Sequence, residues 1–330
     1  MTLSDATEGF LNGYFSTCRR SDKTRTAYGI DLAQLQSYLG AQDIALITPN
    51  QLEAWARELQ SQGYASASIR RKFATVRMFF GHWVRRGELT QSPLWKIRLD
   101  LGRERVLPRN LTASDTQRLI ETAWRGLDPS TGGTFTNLRD LAAIEILFAT
   151  GIRVGELVAL RVSDWREDDG SFLISGKGSR QRLALLPDER SLHVVRMYVS
   201  QRAGRNLGHE ILLVNSVGAR ISTQGIARIL SQVAKLAGIE ARVTPHMIRH
   251  TVATLLLRYG ADIRVVQEVL GHASITTTQR YTHVSKDHLL STLRARHPNH
   301  HLTIETTLPR NPATAKTPVL QAGYPPKFKR

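Results

Sequence analysis

Two stretches in the last third of the chain decide its fold: residues 245–250 read PHMIRH, and residues 270–283 read LGHASITTTQRYTH. PHMIRH opens a predicted helix and places His246 and Arg249 three residues apart, on one helical face. Gly271 ends a second helix before His272, and Tyr281 follows nine residues later in the next helix. An arginine, two imidazoles and a phenol therefore belong to neighbouring helical segments.

Two upstream segments add cations to this set. Residues 149–157 read ATGIRVGEL and place Arg153 just after a glycine that ends a buried helix. Residues 176–178 read GKG, between the apolar runs at 172–174 and 183–186. Lys177 is therefore predicted on a turn between two short strands.

This combination of groups is suited to phosphoryl transfer. Two guanidinium forks hold the non-bridging oxygens of a phosphodiester by charge-assisted hydrogen bonds. A tyrosine hydroxyl has a pKa of about 10 and needs neighbouring cations and imidazoles to become a nucleophile. A lysine on the turn is suited to protonate the leaving hydroxyl group.

These motifs, in this order, closely resemble the catalytic domain of tyrosine recombinases, the phage integrase family, over residues 111–296, with Xer-like and simple integrase members nearest in pattern. The preceding helical region resembles their SAM-like core-binding domain. The resemblance implies six catalytic residues, Arg153, Lys177, His246, Arg249, His272 and Tyr281. It also implies supporting roles for Glu156 and His250.

The same resemblance implies the reaction and the partners. Tyr281 attacks one DNA strand to give a 3′-phosphotyrosyl link and a free 5′-hydroxyl, which then attacks a partner duplex. Specific double-stranded sites are recombined through a Holliday junction by a homo-tetramer, or by a hetero-tetramer with a second recombinase. A helix near 286–296 docks on the neighbouring protomer.

The region before residue 98 is predicted to be a small helical bundle. Its third helix starts near Ser66 and contains no acidic residue between Ile69 and Gly87. With its apolar positions facing the bundle, its cations are expected to face outward and contact DNA. These candidates are Arg70, Arg71, Lys72, Arg77, Arg85 and Arg86.

Composition agrees with a DNA-binding protein. The 330 residues have a formal net charge of +17, and polyphosphate is the partner that best neutralises such a surplus. Cys18 is the only cysteine, which excludes an internal disulfide and indicates a reducing cytoplasm. No secretory signal or membrane span is expected, and the predicted location is cytoplasmic, with the nucleoid.

No metal or cofactor is expected. His246 and His250 have the spacing of zinc ligands on a helix, but Met247 stands where the metalloprotease pattern requires glutamate. Gly176-Lys177-Gly178 lacks the earlier glycine and the following Ser or Thr of a nucleotide-binding loop.

The predicted fold is therefore mainly α, with a small antiparallel sheet in the second domain. Residues 1–98 form the core-binding domain, 99–110 a linker, 111–296 the catalytic domain, and 297–330 a basic, proline-rich tail expected to be disordered. Two alternatives stay open: a type IB topoisomerase-like enzyme that only relaxes DNA, and a DNA-binding regulator that has lost the reaction.

Overall fold

The structure is a computed structural model that describes residues 1–17, 22–102, 110–126, 134–175, 181–271 and 286–302. The chain divides into two compact units, Met1–Leu107 and Pro108–Arg330. Each unit buries its own apolar cluster.

The first unit is a helical bundle, as the sequence predicts. Its helices are α1 (Leu3–Thr17), α2 (Asp22–Leu39), α3 (Pro49–Ser61) and α4 (Ser66–Arg85). Their apolar faces meet around Phe10, Trp55 and Phe79, which are almost completely buried. Thr48 fixes the start of α3, because its hydroxyl accepts from the Gln51 N–H while the Gln51 side chain accepts from the Thr48 N–H.

The second unit is mostly helical. Its helices are α5 (Ala113–Arg125), α6 (Phe135–Thr150), α7 (Val154–Leu157), α8 (Glu189–Ala203), α9 (Thr223–Leu236), α10 (Pro245–Arg258), α11 (Ile263–Leu270) and α12 (Lys286–Arg296). The predicted buried helix is α6, which packs against α5, α8 and α10. It starts at Phe135 because the Thr134 hydroxyl accepts from the Asn137 N–H. Among the described helices, none is both long and apolar enough to cross a membrane.

The predicted antiparallel sheet is confirmed and contains one additional short strand. Its strands β1 (Trp165–Arg166), β2 (Ser171–Ser175) and β3 (Gln181–Leu185) lie in that order. Ser175 pairs with Gln181 at the end of the β2–β3 hairpin. Strand β1 was not predicted, because two residues are too few to show an alternating pattern.

The prediction that the tail is disordered from residue 297 onward is wrong for its first residues. Residues Pro298–His301 form a 3₁₀ turn in which Pro298 and Asn299 are buried, and His297 is fully buried with its ring edge against Phe148. The Asn299 amide donates to the Asp188 carboxylate. The ring contact with Phe148 and the hydrogen bond to Asp188 order these residues, although the composition of the segment indicated disorder. Residues 303–330 lie outside the described residues.

Helix α12 packs on its own unit in this single chain. Leu289 and Leu293 are buried in the core of the second unit, and α12 contacts both α11 and the 3₁₀ turn that follows it. Docking of α12 on a neighbouring protomer, as expected from the sequence, would therefore compete with its packing on its own unit.

Candidate active site

Arg153 is placed by the turn that ends α6. Gly151 adopts a left-handed conformation with φ of +59°, and a Cβ there would lie 2.7 Å from Leu270 Cδ2, so only glycine fits. Arg153 is the N-cap residue of α7. Its backbone N–H donates to Glu156 Oε2 and its Nη1 donates to Glu156 Oε1, both at 2.9 Å. Glu156 thus fixes the backbone and the side chain of Arg153 together.

Arg249 projects from α10 into the interior of the unit and is 8% exposed. Thr244 caps this helix by accepting from the Met247 N–H, and Pro245 occupies its first turn. Arg249 Nη1 donates to Gly151 O at 2.7 Å, and its Nη2 donates to Leu270 O at 2.8 Å. The guanidinium therefore joins the end of α6 to the end of α11.

The structure brings the two predicted arginines together at the end of α11. Arg249 binds the Leu270 carbonyl, and Arg153 Nη2 donates to the adjacent Gly271 carbonyl at 3.0 Å. Burial, and then the nearby charge of Arg153, lowers the pKa of Arg249 to about 10. Arg249 therefore stays charged at neutral pH. Two guanidinium groups bound to consecutive carbonyls form a cationic centre suited to an anion.

A third arginine, Arg182, belongs to this centre and was missed in the sequence. It lies on β3 and donates to both Glu156 oxygens, from Nη2 to Oε2 at 2.8 Å and from Nη1 to Oε1 at 3.2 Å. Burial raises the pKa of Glu156, but hydrogen bonds from Arg182 and Arg153 outweigh it and bring the pKa to about 2. The available signal was a cation within a short, largely apolar strand.

The two histidines of PHMIRH occupy different environments. His246 is exposed in the first turn of α10, whereas His250, one turn later, is half-buried. The other predicted catalytic residues, Lys177, His272 and Tyr281, lie outside the described residues. Gly271, whose carbonyl binds Arg153, immediately precedes His272 in the chain.

The six predicted DNA-binding residues of the first unit are not equivalent. Four of them are exposed, as expected: Arg70 and Arg77 along α4, Arg85 at its last residue and Arg86 just after it. Lys72 departs from the expectation.

Lys72 is only 4% exposed, because its ammonium pairs with the fully buried Asp31 of α2 at 3.2 Å. Arg71 is half-exposed but donates to both oxygens of the same carboxylate, and the Thr75 hydroxyl donates to it at 2.9 Å. The local absence of acidic residues in α4 is thus compensated by a carboxylate from another helix. A DNA contact by Lys72 is not compatible with this burial.

Comparison with known families matches both parts of the chain. Residues 109–288 match the phage integrase family, and residues 7–87 match the phage integrase N-terminal SAM-like domain. Tyrosine recombinase XerD of Listeria monocytogenes serotype 4b (strain F2365) is 36% identical over 312 residues, which cover 90% of this chain and 99% of the relative. Tyrosine recombinase XerC of Listeria innocua serovar 6a is 32% identical over 296 residues, with 88% and 96% covered.

Solved structures share the fold at lower identity. The Tn1549 transposon integrase in complex with transposon right end DNA superposes with a TM-score of 0.67 at 17% identity, covering 88% of this chain and 98% of that chain. A lambda integrase tetramer bound to a Holliday junction gives a TM-score of 0.64 at 20% identity, with 86% and 80% covered.

Proposed function

The chain belongs to the phage integrase family and is a tyrosine site-specific recombinase, and from that premise we propose that it cleaves and rejoins DNA through Tyr281. The Tyr281 hydroxyl attacks the phosphodiester, a 3′-phosphotyrosyl bond forms, and the 5′-oxygen of the broken strand leaves with a proton from Lys177. The new bond retains the energy of the old one, so the 5′-hydroxyl of a partner strand rejoins without ATP.

The observation that carries this proposal is the meeting of Arg153 and Arg249 at consecutive carbonyls, Gly271 O and Leu270 O. Arg153 remains 47% exposed, so its fork is accessible to a phosphate. Arg153 and Arg182 share the carboxylate of Glu156, and Arg249 adds a third guanidinium bound only to backbone carbonyls. The surplus positive charge favours the dianionic phosphorane over the monoanionic ground state.

In this proposal the histidines take part in proton transfer from the Tyr281 hydroxyl. His246 lies on α10 one turn from Arg249, and His272 follows the Gly271 peptide that Arg153 binds. In this proposal both face the same phosphate, where an imidazole accepts the Tyr281 proton or hydrogen-bonds a phosphate oxygen. His250, half-buried on the same helix, supports them from behind.

The proposed partner is double-stranded DNA that carries specific recombination sites, in the cytoplasm with the nucleoid. We propose a tetramer on two such sites, either of this chain alone or with a second recombinase. The fold similarity to the lambda integrase tetramer on a Holliday junction supports this arrangement. Integration, excision and resolution are all served by this chemistry.

A covalent-capture experiment tests the proposed function. The full chain is incubated with a random-sequence duplex library, denatured, and freed of non-covalent DNA before the attached sequences are read. Two copies of the recovered site are then placed in one supercoiled plasmid. We expect recombinant circles. Relaxation without recombinants favours the topoisomerase alternative, and binding without any adduct favours the silent regulator.

The exposed cations of α4 are expected to bind the DNA backbone. Arg77 and Arg85 are exposed and two turns apart on this helix. Arg77→Gln combined with Arg85→Gln should weaken binding to random-sequence duplex DNA and reduce the slope of log K against log salt by about 0.9 for each lost contact. Fluorescence anisotropy at several salt concentrations measures this slope.

Arg57→Gln is the matched control, because Arg57 is also exposed in the first unit but lies on α3. Its slope should equal that of the unmodified chain. An unchanged slope in the double variant would place the DNA-binding surface elsewhere.

A further inference from the structure

We propose that Arg182 is a positioning residue of the recombination reaction: it holds Glu156 and the Gly271 peptide so that Arg153 is fixed for phosphate binding. This inference rests on the proposed function. It concerns a residue whose side chain contacts the predicted catalytic groups without being one of them.

Arg182 first acts through Glu156. The Glu156 carboxylate accepts four hydrogen bonds, two from Arg153 and two from Arg182. Each oxygen is shared between the two arginines, so Arg182 prevents the carboxylate from rotating about its own axis. Because Arg153 binds the same oxygens through its backbone and its Nη1, the orientation of its guanidinium depends on that carboxylate.

Arg182 also contacts Gly271. Gly271 has a φ of +63°, and a Cβ at this position would lie 2.7 Å from Arg182 Nε and 2.8 Å from its Cζ. The flat guanidinium therefore lies directly against the Gly271 backbone. Since the Gly271 carbonyl accepts from Arg153 Nη2 at 3.0 Å, the four residues Arg182, Glu156, Arg153 and Gly271 form a closed ring of contacts.

The burial of Arg182 distinguishes it from a DNA-contacting cation. Its side chain is 12% exposed, against 47% for Arg153, and both of its terminal nitrogens are bound to Glu156. Because it is largely buried and bound to Glu156, Arg182 is not available to contact a DNA phosphate. It stabilises the geometry of the arginine that is exposed.

The test uses the duplex recovered by covalent capture, nicked so that the cleaved strand cannot rejoin. We expect Arg182→Ala to lower the single-turnover rate of adduct formation about 100-fold and to leave the Kd for DNA within about threefold. Arg182→Lys should recover about tenfold of this loss, because an ammonium reaches one carboxylate oxygen but not both. Arg196→Ala is the control, since Arg196 is a half-exposed arginine on α8 whose ion pairs among the described residues are with exposed glutamates.

A double-mutant cycle and a pH profile separate positioning from general stability. Combined with Glu156→Gln, Arg182→Ala should cost little more than Glu156→Gln alone, because both remove the same support. Arg182 helps to hold the pKa of Glu156 at about 2. Without Arg182 the pKa of Glu156 rises toward its ordinary value of 4.5, so Glu156 becomes protonated as pH falls through 4.5, and cleavage by Arg182→Ala should decline there. Neither the unmodified chain nor Glu156→Gln should show this decline.

The outcomes discriminate between two failures. If the unmodified chain forms no adduct on any DNA, the proposed function fails. If it forms the adduct and folded Arg182→Ala cleaves at the same rate, or if the two substitutions are fully additive with no acid decline, the positioning role of Arg182 is overturned. Should Arg182→Ala not fold, Arg182→Lys and Arg182→Gln carry the same comparison, with thermal unfolding as the check of folding.

Discussion

Tyr281→Phe should abolish the covalent protein–DNA adduct while leaving DNA binding within about threefold of the unmodified chain. The phenyl ring keeps the volume of the side chain, but no oxygen remains to bond the phosphorus. We expect adduct formation to fall by at least about 10⁴-fold, since no phosphotyrosyl bond can form without the phenol oxygen. Denaturing gels of the nicked duplex measure the adduct, and gel shifts measure binding.

Tyr259→Phe is the matched control for this substitution. Tyr259 lies in the same unit, stacked on His301 with ring centroids 3.9 Å apart, and this contact does not need the hydroxyl. Adduct formation should therefore be unchanged. If Tyr281→Phe still forms the adduct, a different side chain is the nucleophile.

Arg249→Ala should lose cleavage by about 1,000-fold while DNA affinity changes much less, because Arg249 is expected to stabilise charge that develops only in the transition state. The structure adds a second reason. The guanidinium joins Gly151 O to Leu270 O, so its removal also loosens the contact between the ends of α6 and α11. Arg153 binds the Gly271 carbonyl at the end of α11 and loses part of its support. Arg249→Lys should recover little, since one ammonium cannot replace a fork that spans two carbonyls. Single-turnover cleavage and gel shifts together measure the effect.

Arg202→Ala distinguishes this effect from the general cost of removing a buried arginine. Arg202 is 7% exposed and also binds backbone carbonyls, those of His209 and Ile211. Its loss should reduce stability without slowing cleavage by the folded protein. Equal losses of cleavage in Arg202→Ala and Arg249→Ala would contradict the role given to Arg249.

The elements that the sequence predicted well are those whose signals are local. Thr48 before Pro49 marks the start of α3, and the apolar run ending at Thr150-Gly151 gives α6 and its left-handed C-terminus. A capping hydroxyl, a proline or a positive φ acts within a few residues, so its effect is readable from adjacent letters. The order of motifs also predicts that Arg153 and Arg249 belong to one site, although 96 positions separate them in the chain.

The sequence by itself thus determined the helices, the hairpin, the family and the set of groups expected to act on a phosphate. Tertiary structure alone decided which charges are free to act. Lys72 looks exposed in a basic helix but is buried on Asp31, and Arg182 looks like an ordinary strand residue but shares Glu156 with Arg153. His297 looks like the start of a tail but is fully buried. Each outcome depends on a partner distant in the chain, because the energy of a charge or a polar group is set by its burial and its neighbours in space.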